Sequence, residues 1–328
     1  MRPGVVRSSL LLVVSLVVAA VAVAGWGIDR FSAPGPLRAQ TTLVLPPGIG
    51  VDEIALRLQA AGVIERPVLF RIGVRVSGRG RHLRAGEYAF AAAISQRAVM
   101  ELLVAGRTVV RRITVPEGLT SAEIVALLRA AEGLVGGIAA IPAEGELLPE
   151  TYHYSFGDSR AALLARMRAA MREVLAESWH RRDGGLPYAT PQEALVLASI
   201  VEKETAAAAE RAHVAGVFVN RLRRGMRLQS DPTVAYAVSG GRGPLKRALT
   251  RADLAVDSPY NTYRIAGLPP APIANPGRAA IEAVMSPLAT ADFYFVADGS
   301  GGHAFAATLR EHLRNVAKLR SLQRSRRR

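Results

Sequence analysis

The N-terminal part of the chain divides into a long apolar run and a short polar segment. No charged residue occurs from Ser8 to Ile28, where Leu, Val and Ala dominate, and the run has the ~20-residue length that crosses a bilayer core. Arg2 and Arg7 precede it, and Trp26 and Phe31 lie where interfacial aromatic residues are expected. The pattern predicts an exported chain with a cytoplasmic N-terminus (1–7), a transmembrane helix (8–28) and a linker (29–40).

A cleaved signal peptide is the alternative interpretation of this run. Ala20-Val21-Ala22 and Ala22-Val23-Ala24 resemble the small-residue sites at which signal peptides are cut. The apolar run is longer than the core of a usual signal peptide, which favours the retained anchor. Both interpretations place the rest of the chain outside the cytoplasm.

The segment from residue 41 to 132 mixes alternating stretches with helical periodicity. A capping box of Thr120 and Glu123 starts its last predicted helix. The predicted strands are Thr41–Leu45, Gly86–Phe90 and Val109–Val115, and the preceding predicted helices are Val51–Ala61, Pro67–Val76 and Gln96–Val104. We therefore expect a small α+β module for binding or spacing, because it holds no cluster of chemically active side chains.

A Gly-, Ala- and Ile-rich stretch over 133–143 separates this module from a larger mixed α/β region, predicted over 133–322 and followed by a basic tail over 323–328. Turn residues between Ala297 and His303 predict a hairpin near the end. The predicted helices of the region are Ala161–Glu177, Pro191–Ala208, Ala212–Arg223, Arg278–Met285 and Leu309–Leu322. The fold class is therefore α+β with an N-terminal transmembrane helix.

One predicted helix carries a carboxylate on its apolar face. Thr190 and Glu193 form a capping box around Pro191, which sets the helical register. In this register Glu204 points to the same side as the apolar residues, whereas Glu202 points almost opposite and is expected to face outward or to play a supporting role.

Burial among apolar side chains raises a carboxyl pKa, as a general acid requires. The alternative is a structural Glu204 paired with Arg221 or Arg227, and the helical pattern alone does not decide between the two.

Composition narrows the chemistry. The formal net charge is +15 and cysteine is absent, so disulfides, thiolate metal sites and cysteine nucleophiles are excluded. A basic surface attracts polyanions, among them nucleic acid, anionic lipids and acidic wall polymers, and export argues against nucleic acid as a partner.

The six histidines are scattered, and we find no HExxH, GxSxG or Walker pattern. We therefore expect no metal and no cofactor. His303 is expected to be structural or solvent-facing.

Three polar clusters surround the helix of Glu204 in sequence: residues 144–152, residues 220–233 and residues 258–277. They are dense in Tyr, Asn, Gln, Thr, Pro and Gly. Tyrosine faces stack on sugar rings, and amides and hydroxyls bind sugar hydroxyls. The clusters favour a glycan cleft, although ordinary turns also explain the Pro and Gly residues.

The polar clusters and the helix of Glu204 resemble the YceG-like endolytic murein transglycosylases. The similar segments occur in the order Leu197–Thr205, Val217–Leu222, Met226–Val234, Tyr260–Tyr263, Gly267–Pro270, Asn275–Gly277, Tyr294–Gly299 and Gly301–His303. The resemblance implies a LysM-like module over 41–132, a catalytic domain over 133–322 and Glu204 as the catalytic residue. The candidate substrate-binding residues are Thr151, Tyr152, Asn220, Gln229, Asp231, Thr233, Tyr260, Asn261 and Tyr263.

By this resemblance, Glu204 protonates the leaving oxygen of a β-1,4 bond between N-acetylmuramic acid and N-acetylglucosamine within a glycan strand. It then takes the proton of the C6 hydroxyl as a 1,6-anhydro ring closes. The resemblance also implies a role in ending nascent strands beside penicillin-binding proteins at the inner membrane. Glu146, Leu148 and Glu150 depart from the family pattern, whereas Thr151 and Tyr152 keep it. A lysozyme-type hydrolase and a non-catalytic peptidoglycan-binding anchor remain the alternatives.

Overall fold

The computed structural model describes residues 3–325, with side chains from Leu11 onward, and divides into two compact units. Unit 1 comprises residues 3–111 and Tyr154–Gly157, and unit 2 comprises residues 112–153 and 158–325. The division falls before the boundary near residue 133 that the sequence suggests. The domain assignment itself, with its LysM-like module, stays a prediction. Part of the predicted N-terminal segment (1–2) and of the basic tail (326–328) lies outside the described residues.

Unit 1 begins with a long apolar helix. Leu11–Ser32 of this helix is long and apolar enough to cross a membrane by length and composition. The elements of the unit are α1 (Pro3–Ser32), β1 (Thr41–Leu45), α2 (Val51–Ala60), α3 (Pro67–Val76), β2 (Gly86–Phe90) and α4 (Gln96–Ala105). β1 and β2 pair antiparallel, with Thr41 opposite Phe90 and Leu45 opposite Gly86. Their inward side chains join those of α2, α3 and α4 in one core around Leu58, Phe70 and Tyr88.

Two strands, β3 (Val110–Thr114) and β4 (Thr151–Ser155), pair with each other, and the division between the units cuts through both of them. Within unit 1, Thr108 Oγ1 and Ser155 Oγ lie 3.2 Å apart in a hydrogen bond. The chain therefore leaves unit 1 within β3 and returns to it briefly from the second half of β4 to Gly157. The sequence predicts β3 but not β4, which lies in the polar cluster before the helix of Glu204.

Unit 2 is mainly helical. Its elements are α5 (Ser121–Ala130), α6 (Arg160–His180), α7 (Pro191–Glu204), α8 (Arg211–Arg223), α9 (Asp231–Ser239), α10 (Arg251–Leu254), α11 (Arg278–Met285), β5 (Tyr294–Ala297), β6 (His303–Ala306) and α12 (Leu309–Ser325). α7 lies at the centre, and every residue from Ala194 to Val201 is buried. α6, α8 and α11 pack around it and form the main core of the unit.

The mixed α and β content and the N-terminal apolar helix confirm the α+β class of the prediction. The structure also corrects the prediction for α7 and α9. α7 ends at Glu204 instead of Ala208, because Thr205 has an extended backbone and its hydroxyl accepts a hydrogen bond from the Ala207 amide at 3.0 Å. The stretch after Ser230 forms helix α9, because Pro232 falls in its first turn, where a missing amide hydrogen costs nothing.

Candidate active site

The capping box that the sequence predicts at the start of α7 is confirmed. Thr190 Oγ1 accepts from the Glu193 amide at 3.2 Å, and the Glu193 carboxylate accepts from the Thr190 amide at 3.3 Å. At the other end, Glu204 is the last helical residue. Carbonyl groups without partners give this end of a helix a partial negative charge. The helix therefore places the carboxyl where ionisation is disfavoured.

Glu204 is half-buried and accepts one side-chain hydrogen bond, from Ser230 Oγ to its Oε1 at 2.5 Å. Burial raises the pKa of this carboxyl to about 7. The Ser230 hydrogen bond opposes the rise, the charge of Asp231 adds to it, and interactions with His303 and Arg221 lower it. The carboxyl therefore retains its proton over a large part of the pH range in which a free Glu would lose it.

The alternative of a structural ion pair fails for both candidate arginines. Arg221 is buried, and it donates to the carbonyl oxygens of Phe293 and Leu228, both at 2.6 Å. Arg227 donates to the carbonyl oxygen of Tyr263 at 3.0 Å. No ion pair includes Glu204 among the side chains that the structure describes, residues 11–325. The cost of burying this carboxyl is therefore not offset by a cationic partner in an ion pair.

Glu202 corrects one expectation. Its side chain is only 5% exposed, so it does not face outward. It accepts a hydrogen bond from the Gly277 amide at 2.9 Å and lies 3.6 Å from the Arg211 guanidinium. Because every residue from Ala194 to Val201 is buried, the face of α7 opposite Glu204 also contacts protein. Glu202 has the supporting role that was the other option, whereas Lys203 is exposed and donates to the Gly118 carbonyl oxygen.

A buried frame of hydroxyl groups holds Ser230 against Glu204. Thr262 Oγ1 accepts from the Ser230 amide at 3.0 Å, and Thr233 Oγ1 donates to the Ser230 carbonyl oxygen at 2.7 Å. The two threonine hydroxyls lie 2.8 Å apart, and both side chains are fully buried. Ser230 occupies the N-cap position of α9, yet its hydroxyl does not cap the helix. The hydroxyl donates instead to the carboxyl of Glu204 at the end of α7.

Four candidate substrate-binding residues lie around this frame with exposed or half-buried side chains. Gln229 and Asp231 are exposed on either side of Ser230. The Tyr263 hydroxyl donates to Asp231 Oδ1 at 2.6 Å. The Tyr260 ring lies 4.9 Å from the ring of Tyr236. These side chains are available to a ligand that reaches Glu204.

Three other candidates use their polar groups within the protein. Asn261 is fully buried and donates to the carbonyl oxygens of Leu254 and Val256, and Thr233 belongs to the frame. Asn220 on α8 donates to the carbonyl oxygens of Thr290 and Asp292, at 2.8 and 3.0 Å. In the structure these three residues shape the loops around the site.

Thr151 and Tyr152 lie on β4. The Tyr152 hydroxyl donates to the Leu148 carbonyl oxygen at 2.7 Å, and Thr151 Oγ1 lies 2.9 Å from Thr114 Oγ1. No hydrogen bond among the described residues joins either of them to Glu204 or Ser230.

The three positions that depart from the family pattern have ordinary structural environments. Glu146 forms an exposed ion pair with Arg168, Leu148 is buried in the core, and the Glu150 carbonyl oxygen accepts from the Val115 amide.

Sequence reasoning missed two contributors. Ser230 lies in the segment Met226–Val234, which resembles the family, but the sequence pattern predicts no role for it or for Glu210. The Glu210 carboxylate accepts from the His303 amide at 2.9 Å and lies 2.7 Å from His303 Nδ1. His303 is therefore held on the side of the site from which it acts electrostatically on Glu204. No local signal joins positions so distant along the chain.

Comparisons with known proteins agree on one family. The model of the YceG-like family matches residues 43–318. The endolytic murein transglycosylase of Bacillus subtilis (strain 168) is 37% identical over 177 residues, which cover 54% of this chain and 47% of that protein. The endolytic murein transglycosylase of Streptococcus pneumoniae serotype 2 (strain D39 / NCTC 7466) is 30% identical over 326 residues, with 84% of this chain and 58% of that protein covered. The chain thus spans about half the length of these curated relatives.

A solved structure has the same fold. The crystal structure of a YceG-like protein from Listeria monocytogenes matches with a TM-score of 0.50 at 29% identity. The match covers 84% of this chain and 98% of the Listeria chain. The likeness therefore extends over most of both chains.

Proposed function

This chain belongs to the YceG-like family, and we propose that it is an endolytic lytic transglycosylase of peptidoglycan. It cleaves the β-1,4 bond between N-acetylmuramic acid and N-acetylglucosamine within glycan strands and leaves 1,6-anhydro ends. The observation that carries the proposal is the half-buried carboxyl of Glu204, which keeps its proton near neutral pH and has no structural partner except Ser230. A protonated carboxyl open on one side is what the first proton transfer requires.

The reaction needs one carboxyl group in two protonation states. Glu204 donates its proton to the glycosidic oxygen as the bond from that oxygen to C1 of the muramic acid breaks. The resulting carboxylate then accepts the proton of the C6 hydroxyl, whose oxygen bonds to C1. The proton count of Glu204 is restored, and no water enters the product. The opposite directions of Glu202 and Glu204 agree with a mechanism that uses no close carboxylate pair.

Ser230 donates a hydrogen bond to the carboxyl in both states, and it stabilises the charged state more strongly. It therefore helps Glu204 to release its proton, while burial helps it to recover the proton from the sugar hydroxyl. Gln229, Asp231, Tyr260 and Tyr263 supply the exposed polar and aromatic groups for the glycan. Asn220, Thr233 and Asn261 act through the loops that they hold, and Thr151 and Tyr152 extend the site along β4.

We place the catalytic region on the outer side of a bacterial inner membrane, anchored by the single helix over residues 8–28. The length and apolar character of α1 support this placement. Termination of nascent strands beside penicillin-binding proteins follows from an endolytic activity tethered at the site of wall synthesis. The LysM-like module over 41–132 would then hold glycan near the catalytic domain.

The decisive experiment compares the wild type with Glu204→Gln on purified peptidoglycan and reads the released fragments by mass. We expect the wild type to release 1,6-anhydro products and the variant to lose about 100-fold or more of this activity. Glu282→Gln is the matched control, because Glu282 is exposed on α11 in the same unit.

Each alternative has its own outcome. Wild-type products that carry one additional water would identify a lysozyme-type hydrolase. Binding to peptidoglycan without released fragments would identify a non-catalytic anchor. Full activity of Glu204→Gln would remove this residue from the mechanism.

A further inference from the structure

Unit 1 contains an open apolar cavity of about 740 Å³ beside the end of α1. Val23, Trp26 and Phe31 of α1 line one side, and Leu69, Ile72 and Val76 of α3 line the other. Nothing in the catalytic proposal uses this cavity. Its lining suits hydrocarbon rather than a sugar or an ion, since the larger part of it is aliphatic or aromatic.

The position of α3 against α1 is fixed by a close contact. A Cβ atom at Gly73 would lie 2.5 Å from Cε2 and Cζ of Phe31, so only glycine lets the ring lie on the backbone of α3. A Cβ at Gly27 would come within 4.0 Å of Leu69 Cδ1. The two helices therefore belong to one packed arrangement at the C-terminal end of α1.

α3 also leaves an apolar stripe without a protein partner in unit 1. Its core-facing side chains, Phe70 and Val74, are at most 1% exposed. Val68, Ile72 and Val76, which recur every four residues along another face, are 55%, 53% and 83% exposed. Such a continuous stripe is unfavourable in water and marks an interaction surface.

The stripe begins at the level where α1 would leave a bilayer, since Leu69 lies against Gly27 and Gly73 against Phe31. At 1.5 Å per residue, an apolar core of ~30 Å is crossed by about 20 residues, which is the length of the uncharged run from Ser8 to Ile28. Trp26 stands near the end of this run, and the Arg66 guanidinium lies 5.3 Å from the centre of its ring. Arg75 and Arg79 are exposed on and after α3, where phosphate groups would be expected.

We propose that α3 is embedded in the membrane interface, with Val68, Ile72 and Val76 among the acyl chains of the leaflet from which the C-terminal end of α1 emerges. Acyl chains also fill the cavity between α1 and α3, and the flanking arginines contact lipid phosphates. The inference rests on the proposed function in one respect, since α1 must span the membrane. It adds a second membrane contact that holds unit 1 against the surface instead of leaving it on a flexible tether.

The absence of native cysteine permits a clean test. The full chain carrying Ile72→Cys is labelled with an environment-sensitive fluorophore and reconstituted into vesicles of phosphatidylethanolamine and phosphatidylglycerol, with or without bromine on the acyl chains. Val110→Cys is the matched control, because Val110 is 65% exposed in the same unit and does not line the cavity. Ala20→Cys reports whether α1 lies in the bilayer.

We expect blue-shifted emission at position 72 and at least about twofold quenching by brominated lipid, with neither effect at position 110. A quenched label at position 20 together with a water-exposed label at position 72 would overturn the inference and leave the proposed anchor intact. An unquenched label at position 20 would overturn both. A third outcome is a label at position 72 that is shielded from water but not quenched by bromine, and whose shielding disappears when the protein is diluted in lipid. This outcome would show that a second copy of the chain covers the stripe, and it would also overturn the inference.

Discussion

The carboxyl of Glu204 experiences opposing influences whose sources lie far apart in the sequence. Burial and the carbonyl end of α7 favour the neutral form, whereas the hydroxyl of Ser230 favours the charged form. A residue that must give up a proton and take it back within one turnover benefits from such a balance, because neither form is strongly preferred.

Ser230→Ala removes the hydrogen bond that lowers the pKa of Glu204. We expect activity of the wild type to fall as the pH rises through about 7, where Glu204 loses its proton, and the fall in Ser230→Ala to occur at higher pH. The measurement is the pH profile of fragment release. Ser239→Ala, at the far end of α9, is the control and should keep the wild-type profile. If activity falls at the same pH in Ser230→Ala and in the wild type, the Ser230 hydroxyl does not lower the pKa of Glu204.

The same pKa implies a pH-dependent cost to stability. In the unfolded chain Glu204 has the ordinary glutamate pKa of 4.5, whereas in the folded chain its pKa is about 7, so the folded state loses stability as the pH rises between these values. We expect Glu204→Gln to remove this loss and to stabilise the protein at pH 8, relative to the wild type, by about 1 to 3 kcal/mol. At pH 4 the difference should be small.

Thermal unfolding at the two pH values provides the measurement. Glu282→Gln is the control for the substitution itself, because that side chain is exposed. A Glu204→Gln variant no more stable than the wild type at pH 8 would contradict a raised pKa for this carboxyl.

At the scale of single residues, the sequence predicted Glu204 as the candidate catalytic residue but not the side chains that surround it. The helical register of α7 was enough to separate Glu204 from Glu202, since periodicity is a local property. Ser230 and Glu210 reach the site through tertiary packing, which no local pattern reports. The outward direction expected for Glu202 was wrong, because helical periodicity shows which residues share a face and not whether the opposite face is also buried.

Among the elements, α8 is positioned by a contact that tolerates no side chain. A Cβ on Gly216 would lie 2.3 Å from the Leu288 carbonyl oxygen, in the segment whose Thr290 and Asp292 carbonyls are bound by Asn220. The glycine thus lets α8 approach the chain that leads into β5.

Gly216→Ala is therefore expected to destabilise unit 2 by about 1 to 3 kcal/mol, because the added methyl must push backbone apart. A lowered melting temperature would be the readout. Gly184→Ala is the control, since a Cβ there meets nothing within 4 Å. Equal melting temperatures for the two variants would show that this contact is loose.

The ends of elements show where local prediction fails. The start of α7 was predictable because a capping box and a proline act within four residues. Its end was not, since Thr205 is followed by alanines that favour a continued helix, and the pattern does not show that the Thr205 hydroxyl accepts from the Ala207 amide instead. α9 was missed because Ser-Asp-Pro serves equally as a turn and as a helix start.

Over the whole molecule, the formal net charge of +15 creates a field attractive to polyanions. Peptidoglycan, the proposed substrate, carries free carboxylates in its stem peptides and is such a polyanion. We expect KM to rise several-fold from low to high ionic strength, while kcat changes little. Salt screens the attraction between the basic protein and the anionic substrate, but it does not affect the proton transfer at Glu204.

Initial rates in NaCl, with sucrose at equal osmolarity as the control, test this expectation. A fall of kcat at constant KM would instead show that salt perturbs the site itself.

The return of the chain to unit 1 at Tyr154–Gly157 has a consequence for biosynthesis. Synthesis proceeds from the N-terminus, so all residues up to Arg111 are made before the last piece of unit 1. Unit 1 therefore stays incomplete while α5 and the loop after it are synthesised. A released chain that ends at Arg111 should be more sensitive to protease than one that ends at Gly157, although both contain every helix that the structure describes in that unit.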